Sequence, residues 1–257
     1  MMQVHRTTAE WLSKRRVLNG PSIGFIPTMG ALHRGHASLV ERCRAENDIV
    51  AVSIFVNPAQ FDDPLDLDRY PRTMECDLAL LESLGTDHVL VPAASDLYPE
   101  GYRFHVDFHD TEELMEQRHR PGFLQGVLTV VMKLLNLVRA DRAYFGEKDF
   151  QQFRAVDEMA REFFVGTQIV PCPTVRAESG LAESSRNRRL SQQALHKAPW
   201  ILKALTEAPT PTEARATLEA QGFVVDYVEE RWGRRFAAAR LEGVRLIDNV
   251  AIYASDT

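Results

Sequence analysis

The sequence is poor in cysteine and in long apolar runs, and each shortage excludes a class of protein. Its 257 residues contain three cysteines, Cys43, Cys76 and Cys172, which are odd in number and lack metal-ligand spacing. They predict reduced thiols in a cytoplasmic protein rather than a disulfide framework. No run approaches the length of a membrane span, and no apolar signal core stands near the first residue. We therefore expect no membrane insertion and no secretion.

The chain also lacks an excess of basic residues. Its 30 Lys plus Arg stand against 36 Asp plus Glu, which gives a net charge of −6. This balance argues against a general nucleic-acid binder. Apolar residues make up 45% and charged residues 26%, without an internal repeat or low-complexity segment. Such a composition is typical of a globular protein with one or two domains and a sizeable core.

The stretch from Ser22 to His36 is the point around which the rest of the chain can be arranged. An apolar run, Ile23 to Ile26, predicts a buried strand that Pro27 ends. Thr28 to Gly30 can turn the chain tightly, and a helical pattern follows at once. The sequence therefore predicts a strand, a turn and a helix in immediate succession.

His33 and His36 fall in the predicted first turn of that helix. A helix N-terminus presents backbone N–H groups and the positive end of the helix dipole, which together suit a phosphate. Gly35 lacks a Cβ and lets a ligand approach the backbone closely. On the H-x-G-H pattern alone, two incidental surface histidines remain an equally good interpretation.

Strand-like and helical segments alternate along about the first 170 residues. Strands are predicted at 49–56, 88–92, 142–145 and 167–172, helices at 8–14, 73–84, 127–138 and 150–163, and an exposed loop at 62–72. This alternation predicts a parallel sheet covered on both faces. We expect an α/β fold with a Rossmann-like N-terminal domain over residues 1–172.

The pattern changes from residue 173 onward. A polar, basic loop at 173–190 would act as a hinge, and a helix is predicted at 191–208. Thr210 and Pro211 begin another helix as N-cap and first helical residue. Strand-like runs follow at 223–228, 236–241 and 244–253, with Glu242-Gly243 as a hairpin turn. We expect a smaller α+β C-terminal lid domain over residues 173–257.

Three polar clusters follow predicted parallel strands at their carboxyl ends. They are His33 with His36, Asn57 with Gln60, and Gly146 to Asp149. Ligands of open α/β sheets bind at this edge, so the clusters predict one crevice. Each also has a plainer interpretation: a surface ion pair for Lys148 and Asp149, and a solvated amide for Gln60 or Gln152.

These motifs, in this order, resemble the pantoate–β-alanine ligase family of the H-x-G-H nucleotidyltransferase superfamily. The stretches that carry the resemblance are Pro27–His36, Val52–Phe61, Tyr70–Arg72, Gly126–Val131, Phe145–Asp149 with Gln151 and Gln152, Ser184–Asn187 and Leu246–Asn249. H-x-G-H alone would give only the superfamily. Asn-Pro-x-Gln-Phe followed by Phe-Gly-Glu-Lys-Asp is specific to the family.

The resemblance implies ATP-dependent ligation of (R)-pantoate and β-alanine through a pantoyl adenylate, with release of AMP and diphosphate. Mg²⁺ would accompany the ATP, held mainly by phosphate and water rather than by protein ligands. The resemblance further implies a cytoplasmic homodimer formed by the N-terminal domain. It implies neither a nucleic-acid nor a membrane partner.

The resemblance also implies roles for single residues. His33, His36 and Lys148 would be catalytic, with His36 as proton donor or transition-state stabiliser. Gln60 and Gln152 would bind pantoate, and Gln60 also β-alanine. The implied ATP contacts are Met29, Gly30, His33, Gly35, His36, Gly146, Glu147, Lys148, Asp149, Val175, Glu183, Ser184, Ser185 and Arg186.

Two positions depart from the family's usual pattern. Glu183 stands where the family has methionine, and the stretch Arg120–Val127 lacks the family's histidine. Two alternatives therefore stay open at this point. One is a nucleotide-binding homologue that has lost catalysis, and the other is a related adenylate-forming enzyme that uses another small acid.

Overall fold

The computed structural model describes residues 1–109 and 115–252, which fall into two compact units. The first comprises Met1–Glu147 and Gln151–Cys172, and the second comprises Lys148–Phe150 and the chain from Pro173 onward. Nothing in the sequence pattern indicated that the short segment Lys148–Phe150 belongs with the second unit.

The first unit is built on a six-stranded parallel sheet. Its strands lie in the order β1-β4-β3-β2-β5-β6. They are β1 Gln3–His5, β2 Ile23–Thr28, β3 Ile49–Ile54, β4 His88–Leu90, β5 Arg142–Gly146 and β6 Gln168–Cys172. The helices are α1 Thr8–Arg15, α2 Arg34–Glu46, α3 Pro64–Asp68, α4 Met74–Ser83, α5 Ala94–Leu97, α6 Glu116–His119, α7 Phe123–Val138 and α8 Phe150–Glu162. The predicted parallel sheet is confirmed.

Two separate apolar cores cover the opposite faces of this sheet. Phe25 and Ala51 pack with the residues of α7 in one core. Their chain neighbours Ile26 and Val52 pack in the other, with Leu39 of α2. Because successive strand residues point to opposite faces, continuous apolar strands result from burial on both sides.

The strand order places a topological switch point between β2 and β5. From β2 the chain moves to β3 and then to β4 on one side, and it returns through α7 to β5 on the other side. The H-x-G-H segment follows β2, and Gly146 ends β5. Crevices at such a point are the usual ligand sites of open α/β sheets.

The second unit holds an antiparallel sheet of three strands in the order β7-β8-β9. The strands are β7 Val224–Arg231, β8 Arg234–Leu241 and β9 Val244–Ala251, and the helices are α9 Gln192–Lys197, α10 Trp200–Glu207 and α11 Pro211–Ala220. The predicted hairpin turn is confirmed, with φ values of +50° at Glu242 and +76° at Gly243. Tyr253, assigned to the last strand from the sequence, lies outside the described residues.

Four details of the sequence-based assignment are wrong. The helix predicted at 191–208 is two helices, because Pro199 would remove a backbone donor from its interior. The loop predicted at 62–72 contains α3, capped by Asp63. The first strand continues through Pro27, since its pairing with β3 extends to Thr28. The short strand β1 was not predicted at all.

Candidate active site

The turn between β2 and α2 is held by hydrogen bonds to its backbone. The Thr28 hydroxyl donates to the Ser53 carbonyl at 2.7 Å and accepts the N–H of Gly30 at 3.2 Å. Gly30 has a φ of +78°, a conformation that glycine adopts without strain. These bonds hold the backbone of the turn, and helix α2 begins shortly after it at Arg34.

Asp77 of α4 also holds this turn, by accepting hydrogen bonds from its backbone. Its two carboxylate oxygens accept the N–H groups of Ala31 and Leu32, each at 2.9 Å, and the Thr73 hydroxyl donates to it at 3.1 Å. The side chain is buried, so these bonds replace its lost hydration. Sequence reasoning missed Asp77, although a carboxylate inside a helix that packs on a sheet is a usable signal.

The two histidines form the N-terminal cap of α2. His33 is the N-cap residue rather than a member of the first turn, and its Nδ1 accepts the N–H of Gly35 at 3.1 Å. The Nδ1 of His36 accepts the N–H of His33 at 3.4 Å, and the ring centroids lie 4.1 Å apart. A neutral ring that accepts through Nδ1 carries its proton on Nε2. Both imidazoles are therefore donors through Nε2.

Gln60 lies on the short 3₁₀ turn that follows β3, Pro58–Gln60, and its amide is oriented by neighbours. Its Oε1 accepts from Nδ2 of Asn57 at 3.1 Å, and its Nε2 lies 3.0 Å from Sδ of Met29. The structure thus brings together two residues that were predicted separately, Met29 after β2 and Gln60 after β3.

Arg120 fixes the backbone of the same turn. Its guanidinium donates to the Gln60 carbonyl at 3.2 Å and pairs with Asp62 at 2.9 Å. It also pairs with Glu116 at 3.4 Å and lies 3.8 Å from the ring centroid of Phe123. Phe123 occupies the position of the family's missing histidine. Its ring here stacks on the arginine that holds the turn.

The segment after β5 supplies the other predicted residues of the first unit. Gly146 and Glu147 are half-buried, as is Gln152 in the first turn of α8. The neighbouring Gln151 is buried, and its Oε1 accepts the N–H of Glu116 at 3.1 Å. Of the two adjacent glutamines, Gln152 is therefore the more exposed.

Lys148 and Asp149 belong to the second unit. The Lys148 ammonium lies 3.8 Å from the Asp149 carboxylate, a long ion pair in which the lysine side chain is 18% exposed. The Lys148 carbonyl accepts Nδ2 of Asn249 at 3.0 Å. Asn249 is buried, and its Oδ1 accepts Nε of Arg234 at 2.6 Å. Sequence reasoning noted Asn249 only as part of a motif and did not assign it this supporting contact.

The remaining predicted residues form a second cluster in the same unit. The N–H of Glu183 donates to the Val175 carbonyl at 3.0 Å, and Ser184 accepts the N–H of Arg186 at 3.3 Å. Ser185 is buried in the short turn that follows, Ser185–Arg189. Beside Val175, Arg176 forms two bonds to the buried Asp248 at 2.6 and 2.9 Å. The predicted loop is thus a folded hairpin.

Two further observations concern metal ligands and membrane-spanning helices among the described residues. Within residues 1–109 and 115–252, no three His, Cys, Asp or Glu side chains are grouped to hold a metal ion. Along the same part of the chain, no helix combines the length and apolar character that crossing a membrane requires.

A parallel sheet with H-x-G-H at the helix that follows a central strand defines an α/β protein of the nucleotidyltransferase type. The comparisons with known proteins narrow this class. The sequence model of the pantoate–β-alanine ligase family matches residues 1–251, and the chain belongs to that family.

Individual relatives agree with this assignment. Pantothenate synthetase of Bdellovibrio bacteriovorus is 52% identical over 252 residues, which cover 98% of this chain and 100% of that protein. The pantoate–β-alanine ligase of Francisella tularensis, crystallised with beta-gamma ATP and β-alanine, matches with a TM-score of 0.94 at 37% identity over 98% of each chain. Pantothenate synthetase of Thermus thermophilus matches with a TM-score of 0.89 at 40% identity, over 98% of this chain and 100% of that one.

Proposed function

We propose that this chain catalyses the reaction for which its family is named, the ATP-dependent ligation of pantoate and β-alanine. In the first step, a pantoate carboxylate oxygen attacks the α-phosphorus of ATP and diphosphate leaves. In the second step, the amine of β-alanine attacks the carbonyl carbon of the mixed anhydride, and AMP leaves. The products are pantothenate, AMP and diphosphate.

The observation that carries this proposal is the arrangement of donors around the turn that follows β2. His33 and His36 are donors through Nε2 at the N-terminus of α2, where the helix dipole also favours an anion. Diphosphate gains negative charge as it leaves. Fixed donors that meet this charge stabilise the transition state without reorganisation. We assign His36 this role, with His33 contacting the phosphates.

The acid substrate is assigned to the neighbouring edge of the sheet. Gln60 lies beside Met29, and Gln152 lies at the start of α8. Their amides suit a molecule that carries hydroxyl and carboxylate oxygens. Gln60 would contact pantoate and β-alanine in turn, because the amine must attack the carbon that the carboxylate brings.

The remaining ATP contacts are assigned from the family resemblance. They are Met29, Gly30, Gly35, Gly146, Glu147, Lys148, Asp149, Val175, Glu183, Ser184, Ser185 and Arg186. Lys148 would act as a point charge near the α-phosphate. Val175 would contact the base through its backbone.

We further propose that Mg²⁺ enters with ATP and neutralises part of the phosphate charge. Because Mg²⁺ gives up its water reluctantly, the ion would be held mainly by phosphate oxygens and water. Two finer expectations are also proposals. The chain forms a homodimer through its N-terminal domain, which light scattering on the purified protein tests. It works in the cytoplasm, where its free cysteines stay reduced.

The test is a product assay with each substrate omitted in turn. We expect AMP and diphosphate to form in equal amounts only when ATP, pantoate and β-alanine are all present over many turnovers. Formation of ADP and inorganic phosphate would contradict the adenylate route. The same assay decides between the two alternatives. Turnover only with a different small acid indicates a related enzyme, and ATP binding without turnover indicates an impaired homologue.

A further inference from the structure

The amide of Asn57 has only one possible orientation. Its Oδ1 faces the backbone N–H of Ala59 at 3.3 Å, and its Nδ2 faces the backbone carbonyl of Gly126 at 3.1 Å. A backbone N–H can only donate and a carbonyl can only accept, so exchanging the two ends of the amide would leave both contacts repulsive. The side chain is 1% exposed, and no solvent can relieve such a mismatch.

This orientation determines how Gln60 is presented. Since Nδ2 of Asn57 is a donor, the Gln60 atom 3.1 Å from it is the acceptor Oε1. The Nε2 of Gln60 therefore points away from Asn57, toward Sδ of Met29 at 3.0 Å. A thioether is a weak acceptor, and a carboxylate or hydroxyl oxygen of a substrate is a far better one.

Tyr98 makes the shortest bond to Asn57. Its hydroxyl donates to Oδ1 at 2.8 Å, whereas the other bond to that oxygen, from Ala59, is 0.5 Å longer. The Tyr98 ring is fixed in turn, with Nζ of Lys133 4.6 Å from its centroid and the ring of Tyr102 against it at 5.1 Å. Lys133 also donates to the Leu97 carbonyl. Burial raises the pKa of Tyr98 to about 12, so its hydroxyl keeps its proton as a donor.

We propose that Tyr98 is a positioning residue for the acid substrate, which acts through Asn57 to hold the amide N–H groups of Gln60 toward the substrate's oxygens. This inference rests on the proposed function and deepens it. It assigns to Gln60 the recognition of a hydrogen-bond acceptor, a carboxylate or hydroxyl oxygen. It also assigns a role in substrate binding to a residue that does not touch the substrate.

The test compares Tyr98→Phe with the matched variant Tyr102→Phe. Both remove one hydroxyl from the same aromatic pair, but the Tyr102 hydroxyl has no hydrogen-bond partner among the described residues. Loss of the Tyr98 hydroxyl leaves a buried acceptor poorly satisfied. We expect Tyr98→Phe to raise the KM for pantoate by up to about tenfold, the fold-change that corresponds to the net contribution of one lost hydrogen bond. The KM for ATP should stay within about twofold in both variants, because neither substitution removes a group that is assigned to bind ATP.

A double-mutant cycle adds an independent readout. Asn57→Asp removes the donor to Gln60, so adding Tyr98→Phe to it should raise the KM for pantoate little further, because coupled residues are not additive. Equal pantoate KM values for Tyr98→Phe and Tyr102→Phe would overturn the inference while leaving the proposed function intact. An equal rise in the KM for pantoate and the KM for ATP would show a purely structural role of Tyr98 and would also overturn the inference. A wild-type chain that forms no AMP with pantoate would overturn the proposed function itself.

Discussion

His36 and Lys148 are the two side chains assigned to charge that develops on phosphate. Each substitution, His36→Ala and Lys148→Ala, should slow pantoate-dependent AMP formation by about 10²–10³, the usual cost of removing one preorganised donor. The free energy of unfolding should change little for Lys148→Ala, and by about 1 kcal/mol for His36→Ala, which also loses the capping bond to the N–H of His33. Rates measured at saturating substrate check this, with His109→Ala as the control, since that side chain is 88% exposed. A variant with nearly normal adenylation removes its residue from the mechanism.

Glu183 is the residue that fits the family's usual pattern least well. A carboxylate within about 4 Å of a phosphate would cost roughly 1–4 kcal/mol at effective dielectrics of 80 to 20. The backbone N–H of Glu183 bonds to Val175, so the backbone of the loop is fixed without its side chain. We predict that the carboxylate points away from ATP.

The substitution Glu183→Met tests the position of that carboxylate. The KM for ATP should stay within about threefold of the wild-type value, because a solvated charge contributes little. Steady-state kinetics with ATP as the varied substrate measure this directly. If methionine tightened ATP binding tenfold or more, the carboxylate would have to face the phosphates, and Glu183 would weaken the site.

The candidate site residues could be proposed from local motifs, whereas the residues that hold them in place could not. His33, His36 and Gln60 stand in motifs whose residue types and spacing point directly to phosphate and acid binding. Asp77 and Tyr98 carry no such local pattern. They reach their partners 46 and 41 residues away in the sequence, and the packing of distant elements sets those contacts. A single sequence contains no periodic signal for such contacts.

Helix α7 approaches the Asn57 turn so closely that only glycine fits at the contact. A Cβ on Gly126 would lie 2.0 Å from the Ala59 carbonyl oxygen, so the turn or the helix would have to move. Alanine normally stabilises a helix by up to about 1 kcal/mol over glycine. Overpacking typically costs about 1–3 kcal/mol, and we therefore expect Gly126→Ala to lower the thermal midpoint.

The same variant should raise the KM for pantoate, because Gln60 lies on the displaced turn. Gly166→Ala is the control, since a Cβ there meets nothing within 4 Å. Thermal melts and steady-state kinetics on the two variants make the comparison. A Gly126→Ala protein as stable and active as wild type would show that the contact is looser than its distance implies.

Helix boundaries could be predicted where a local capping signal marks them. Thr210-Pro211 starts α11 as predicted, and the same N-cap and proline signal at Asp63-Pro64 starts α3, which was missed. The acidic residues around this signal are also typical of an exposed loop. Strand β1 carries too few residues for a pattern, and its pairing with β4 defines it.

The stability of the first unit should depend on pH through two histidines at the edge of the sheet. His5 and His88 are buried with ring nitrogens 3.2 Å apart. Burial, followed by the charge of the partner His5, lowers the pKa of His88 to about 4, and burial also lowers the pKa of His5. Among nearby charges, Lys14 lowers both pKa values, whereas Glu10 raises that of His5 and Asp87 that of His88.

The sign of the effect follows from proton binding. The unfolded histidines titrate near about 6.5, above their folded pKa values, so the unfolded chain binds more protons below that pH. The histidines should cost no stability above about pH 6.5 and should destabilise the fold progressively down to about pH 4. His88→Gln keeps a hydrogen-bonding side chain that does not titrate. Melts across this window should fall less steeply for the variant, and equal slopes would contradict the account.

The central proposal for the whole molecule is that it activates the carboxylate of pantoate as an adenylate. The most direct test follows an oxygen atom. With pantoate labelled by ¹⁸O in its carboxylate, the oxygen that attacks the α-phosphorus stays on that phosphorus when the amine displaces AMP. The account predicts one ¹⁸O in each AMP molecule and none in diphosphate, measured by mass spectrometry. Unlabelled AMP, or label in inorganic phosphate, would contradict it.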